Sequence, residues 1–126
     1  MKKPCVLVAE DNENQRELYS LLLELNGFEV KAVANGREAL EELESYTPDL
    51  VLTDIAMPEM SGLELVEQVR RNQALSRLPI IVMTSFDRYY LHWAECVGAD
   101  GTLRKPIDPE DLFTMILQLL PEHSGH

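Results

Sequence analysis

The sequence predicts an α/β fold, a doubly wound five-stranded parallel sheet with five helices on two faces. Three observations carry this. Near-continuous apolar runs within 5–9, 49–54 and 80–84 have the length and composition of strands buried on both faces. A helical pattern follows each strand signal, five times over, and right-handed crossovers between parallel strands must then divide the helices between the two faces. The side chains able to do chemistry stand at the carboxyl ends of the strand runs, where open α/β sheets hold their ligands.

The first run, 5–9, ends on Glu10-Asp11. Asn12 is a good N-cap, with acidic neighbours suited to the positive end of a helix. Leu18, Leu21, Leu22 and Leu25 follow the amphipathic i, i+3, i+4, i+7 template, and Asn26-Gly27 supplies the stop. Residues 29–34 alternate as a strand near a sheet edge does. Asn35-Gly36 opens a second helix through Ala39, Leu40 and Leu43, which ends before Thr47-Pro48. The third run closes on Asp54 and gives way to a loop punctuated by Met57-Pro58 and Gly62. Leu63, Val66 and Val69 point one helix inward, and Arg70-Arg71 read as a charge pair at its C-terminus. The fourth run closes on Thr84 and Ser85, and Asp87 is a candidate N-cap for a helix carrying Tyr89, Tyr90, Leu91 and Trp93 that stops at Gly98. Residues 101–104 form a short strand that delivers Lys105-Pro106. Asp108 then caps a last helix with Pro109 at its first position and Leu112, Met115, Ile116 and Leu119 on its buried stripe.

At 126 residues the chain has room for one domain, 1–126, with 121–126 expected to fray. A net charge of −11 argues against direct nucleic-acid binding or an anionic membrane surface, since both need a positive face. The apolar run before Glu10 is too short for a signal peptide or a membrane span, so the expected location is cytoplasmic. Cys5 and Cys96 fit no metal or redox spacing, and Cys5 reads as a small buried hydrophobe. His92, His123 and His126 share no ligand spacing. The aromatics of the fourth helix read first as partial core packing and second as a partner or dimer surface.

Glu10, Asp11, Asp54, Thr84 and Lys105 would all face one crevice. Carboxylates held that close repel one another, and burying them unpaired costs several kcal/mol. A hard divalent cation resolves the conflict, and Mg2+ with one or two carboxylates and a substrate phosphate would suffice. No Gly-rich phosphate loop follows any strand, which speaks against nucleotide binding.

These five strand-end residues, with Met57-Pro58, Gly62 and the Lys105-Pro106 pair, resemble the receiver domain of two-component response regulators over nearly the whole chain. The resemblance implies the flavodoxin-like strand order 2-1-3-4-5. It implies that Asp54 accepts a phosphoryl group from the phosphohistidine of a sensor histidine kinase or phosphotransfer protein. Asp11, Asp54 and the Ala56 carbonyl would hold Mg2+, with Glu10 acting mainly through a coordinated water. Lys105 and Thr84 would stabilise the transferring oxygens, and Lys105-Pro106 would be cis. Switching would bias a face formed by the fourth helix, fifth strand and fifth helix. Output would then pass to a downstream protein or to an effector segment outside this chain, and a homodimer is left open.

The chain departs from the family pattern in places. Thr102 stands where an aromatic is usual, so switching either runs without that ring or borrows Tyr89, Tyr90 or Trp93. Ser85 replaces a common Ala, and Ala56 with Phe86 is expected to set the lifetime of an acyl phosphate. Two other classes compete with the phosphoacceptor. A hydrolase with an aspartyl nucleophile would need a second Asp two residues on, where Ala56 stands. A docking module unregulated by phosphorylation would not need Asp11, Asp54, Thr84 and Lys105 together.

Overall fold

The computed structural model describes residues 3–85 and 88–120, with 88–91 as backbone only. Five strands alternate with five helices: β1 (Cys5–Ala9), α1 (Glu13–Leu25), β2 (Glu29–Val33), α2 (Gly36–Ser45), β3 (Leu50–Asp54), α3 (Gly62–Arg71), β4 (Ile80–Thr84), α4 (Arg88–Val97), β5 (Gly101–Arg104) and α5 (Pro109–Leu119). A single 3-10 turn at Gln73–Leu75 links α3 to β4. All pairings are parallel and the order is β2-β1-β3-β4-β5, as the resemblance implies.

Strand alternation sorts the core into two layers. Leu7, Ala9, Val51, Ile80 and Val82 face α2, α3 and α4, where Ala39, Leu43, Leu65, Val66, Val69 and Ala94 meet them. Val6, Val8, Leu50, Leu52, Ile81 and Met83 face Tyr19 and Leu23 of α1 and Leu112 and Ile116 of α5. The helices therefore divide three and two. β3 and β4 are buried at every position, whereas the edge strand β2 is buried only at Val33.

Local chemistry sets the helix ends. Asn12 Oδ1 accepts from the Gln15 N–H, Asn35 Oδ1 from the Glu38 N–H and Asp108 Oδ1 from the Glu110 N–H. Ser61 and Glu64 form a reciprocal capping box at α3. Gly27 ends the first helix with φ +92°, a conformation that costs a side chain and not a glycine.

Three sequence expectations change. On α1 the buried residues are Tyr19 and Leu23, while Leu18, Leu21 and Leu25 are 52, 53 and 74% exposed. The Leu-rich helix satisfies the apolar template on two faces, and the sheet takes the face carrying the aromatic ring. Arg70 is no loose terminal charge. Its guanidinium donates to the carbonyls of Gly98 (2.9 Å) and Leu78 (2.8 Å) and pairs with Asp100 at 2.7 Å, tying the ends of α3 and α4 to the start of β4. Cys5 is half-buried at the open end of β1, and desolvation raises its thiol pKa. The expectations for Phe86, Asp87, the tail 121–126 and the side chains of Tyr89 and Tyr90 lie outside the described residues.

Candidate functional site at the strand ends

Register places the site. Asp54 ends β3 beside Met83, and Thr84 extends β4 one residue further. Ala9 pairs with Thr53, so Glu10 and Asp11 leave β1 level with Asp54 and just beyond it. Carboxylate oxygens of Glu10, Asp11 and Asp54 all lie within 4.8 Å of one another. Glu10 and Asp54 are only 1 and 6% exposed, whereas Asp11 is open to solvent.

Lys105, delivered by β5 from the far side of the sheet, closes the cluster. Its Nζ donates to Glu10 Oε1 at 2.7 Å and to Asp54 Oδ2 at 3.3 Å. It also donates to Gln15 Oε1 and stands 5.9 Å from the centre of the Tyr19 ring. The Lys105-Pro106 bond is cis. The Lys105 N–H donates to the Thr84 carbonyl at 2.8 Å, which joins the Lys to the end of β4. Thr84 itself is buried.

The remaining oxygens are held by backbone. Asp54 Oδ1 accepts from the Ile55 N–H at 2.8 Å, and Glu10 Oε2 from the Asn12 N–H at 3.1 Å. Arg16 Nη1 grips the Glu10 carbonyl at 2.8 Å. Below the site, the Gly62 N–H donates to Ile55 O at 2.9 Å. A side chain at Gly62 would overlap the Asp54 carbonyl, so only glycine permits this close approach. The loop also leans on α2: the Gly36 N–H donates to Met60 O at 3.2 Å, and Asn35 Nδ2 to Glu59 Oε2 at 3.2 Å. Ala56, at the loop's start, is exposed.

Two buried carboxylates share the Lys105 ammonium with a third, Asp11, close by, and the electrostatics follow. Burial raises the Asp54 pKa despite the opposing Lys105 charge, with Asp11 adding repulsion. Burial likewise raises Glu10, again against its hydrogen bond from Lys105. Desolvation alone would lower Lys105, but its bond to Glu10 and the charge of Asp54 reverse this and hold it above the ordinary 10.5. The cluster is thus short of positive charge and built from hard oxygen donors, which suits Mg2+.

Of the five reactive side chains expected at the strand ends, Glu10, Asp11, Asp54 and Lys105 converge, and Thr84 ends the neighbouring strand β4 with its carbonyl bonded to the Lys105 N–H. Gln15 was not anticipated; it stands in the first turn of α1, just after the Glu10-Asp11 segment, and reaches the site through Lys105. Tyr19 is a second addition, its own pKa raised by burial. The family model for the response regulator receiver domain matches residues 6–117. The chain belongs to that family. Receiver domains are signalling domains and not turnover enzymes. This one is 33% identical over 121 residues to the rice two-component response regulator ORR11, covering 94% of this chain and 82% of that protein. The chemotaxis response regulator CheY4 of Vibrio cholerae superposes with a TM-score of 0.87 at 32% identity, over 94% of this chain and 99% of CheY4. The response regulator TrrA of Thermotoga maritima, solved in complex with Mg(2+)-BeF, gives 0.83 at 32% identity over 92% of this chain and 98% of TrrA. Among the described residues, no helix is long and apolar enough to cross a membrane.

Proposed function

We propose that this receiver domain accepts a phosphoryl group on Asp54 from a phosphohistidine of a sensor histidine kinase or phosphotransfer protein. The observation that carries the reading is Lys105 bonded to both Glu10 and Asp54 where three carboxylates converge. An Asp54 oxygen forms the new bond to phosphorus as the P–N bond breaks, and the electron pair returns to the imidazole. The transition state is loose, so positioning and charge stabilisation do most of the work. The Ile55 N–H fixes the plane of the Asp54 carboxylate, Lys105 meets the charge on the transferring oxygens, and the Thr84 hydroxyl donates to one of them. Asp11, Asp54 and the Ala56 carbonyl would hold Mg2+, with Glu10 beside them. Mg2+, when bound, would supply charge neutralisation and alignment of the phosphoryl oxygens.

A cleft of about 560 Å3 opens beside the site, lined by Leu18, Tyr19 and Leu22 of α1 with Lys105, Pro106 and Ile107. The exposed leucines of α1 continue it as an apolar stripe. This supports α1 and the loop after β5 as the seat of the donor protein. Movement at Thr84 would then bias the face of α4, β5 and α5, with half-buried Thr102 in place of a mobile ring.

Two donors test the reading on the full chain with Mg2+. Acetyl phosphate should add one phosphoryl mass, absent in Asp54→Ala. A chain that gains no mass is a docking module, and one that turns over many equivalents is a hydrolase. Leu18→Asp should slow transfer from a phosphohistidine protein by ~10-fold, the cost of about 1.4 kcal/mol at an interface, and leave the acetyl phosphate rate unchanged. Equal slowing with both donors would place the donor protein elsewhere.

A further inference from the structure

The outer face of α4 carries a pair that the carboxylate site does not use. His92 and Cys96 are spaced i, i+4, so they lie one above the other on one side of the helix. Both are exposed, and His92 Nε2 stands 3.7 Å from Cys96 Sγ. A tetrahedral Zn2+ with bonds of ~2.3 Å to sulfur and ~2.0 Å to nitrogen holds those two atoms ~3.5 Å apart. The two donors thus stand at nearly the bite distance of one ion. We propose that His92 and Cys96 form half of a zinc site, completed by the same two residues of a second copy of this chain.

The second copy is needed because the helix offers too few ligands. Among the described residues, the only group of three candidate ligands is the distant-in-kind set Glu10, Asp11 and Asp54. Closed zinc sites take four ligands, and Cys2His2 is a standard set. A two-fold axis through the ion supplies that set with identical surfaces on both sides. The donors also discriminate. Thiolate and imidazole favour Zn2+ over Mg2+, which prefers the oxygen cluster at the strand ends. Each thiol loses its proton on binding, so two protons pass to the buffer per ion, and the two thiolates balance the dication. This matters for a chain of net charge −11, whose copies otherwise repel. The site is independent of the phosphoacceptor reading, since it shares no residue with it.

Titrating ZnCl2 into the dialysed, reduced full chain at neutral pH tests the proposal, with mass followed by sedimentation. The expected result is a doubling of mass that saturates at one zinc per two chains. Co2+ in its place should give a thiolate charge-transfer band. Trp93, the sole tryptophan, 49% exposed and between the two ligands in sequence on α4, should change its fluorescence. His92→Ala and Cys96→Ser should each abolish the dimer, whereas Asp11→Asn, Cys5→Ser and a His123→Ala/His126→Ala double variant should retain it. A chain that stays monomeric, one that binds one zinc per monomer, or a dimer that survives Cys96→Ser would overturn the proposal. Uptake of phosphoryl from acetyl phosphate by Cys96→Ser, measured alongside, reports separately on the carboxylate site.

Discussion

Replacing Asp54 with Asn should yield a protein that takes up no phosphoryl group and yet unfolds at a higher temperature than the parent. The first half follows from losing the nucleophilic oxygen. The second follows from crowding: Asp54 is 6% exposed, shares the Lys105 ammonium with Glu10, and has Asp11 within reach of both carboxylates. Burial pushes the Asp54 pKa above its ordinary 3.8, so between that value and the raised one the folded chain binds more protons than the unfolded chain. Stability contributed by this group therefore falls as pH rises through that window and stays lower above it. Asn keeps the shape, and its Oδ1 can still accept the Ile55 N–H. The gain should be on the order of 1 kcal/mol, a rise in Tm of roughly 3–5 °C for a chain of this length. It should be full at pH 7 and shrink as the pH approaches 3.8, which thermal unfolding at several pH values will read. Mg2+ should raise the Tm of the parent and not of the variant, closing the gap. A variant less stable than the parent at pH 7 would mean that Lys105 more than compensates the buried charge.

The strand ends were legible because Glu10, Asp54 and Thr84 each close or directly follow an apolar run, and a parallel sheet leaves few places for such a residue to go. Lys105 follows the polar strand 101–104 and was placed by the resemblance and its Pro106 neighbour. Asp54 is the clearest case: a strand buried at every position hands it straight to a Pro- and Gly-punctuated loop. The helix faces were legible only where one apolar stripe exists. On α3 the pattern names Val66 and Val69 correctly and passes over Leu65. On α1 the leucines at 18, 21 and 25 fit the template as well as Tyr19 and Leu23 do, and only the sheet decides between them. Long polar side chains were the least legible. Gln15 and Arg70 find their partners through tertiary geometry, across 90 residues in the case of Gln15 and Lys105. Periodicity carries no information about such a reach. The His92–Cys96 contact escapes for a different reason: ligand spacing sought within one residue type misses a mixed pair that a single helical turn brings together.

Lys105→Ala should produce the largest loss of stability at this site, and one with a bell-shaped dependence on pH. The substitution leaves Glu10 and Asp54 buried with no cation and strips Gln15 Oε1 of its donor. Removing one partner of a buried ion pair costs about 3–5 kcal/mol, because the remaining charge stays desolvated. In the parent, the Lys105 pKa is raised above 10.5, so its contribution is complete below 10.5 and is lost as pH rises through the raised value. In the variant, Glu10 and Asp54 have lost the interaction that opposed their upward shift, so acidification neutralises them early and relieves the strain. The difference in urea unfolding free energy between parent and variant should accordingly be greatest from pH 7 to 9 and decline on both sides. Mg2+ should narrow it at pH 7, since a dication among three carboxylates does part of the same electrostatic work. The rate of phosphoryl uptake from acetyl phosphate should fall ~10²-fold even with Mg2+ saturating, the scale of losing one charge-stabilising donor. If Mg2+ restored the rate together with the stability, Lys105 would act only as a counter-ion for the resting carboxylates. If it restores the stability alone, the ammonium has a separate part in meeting the charge of the transferring group.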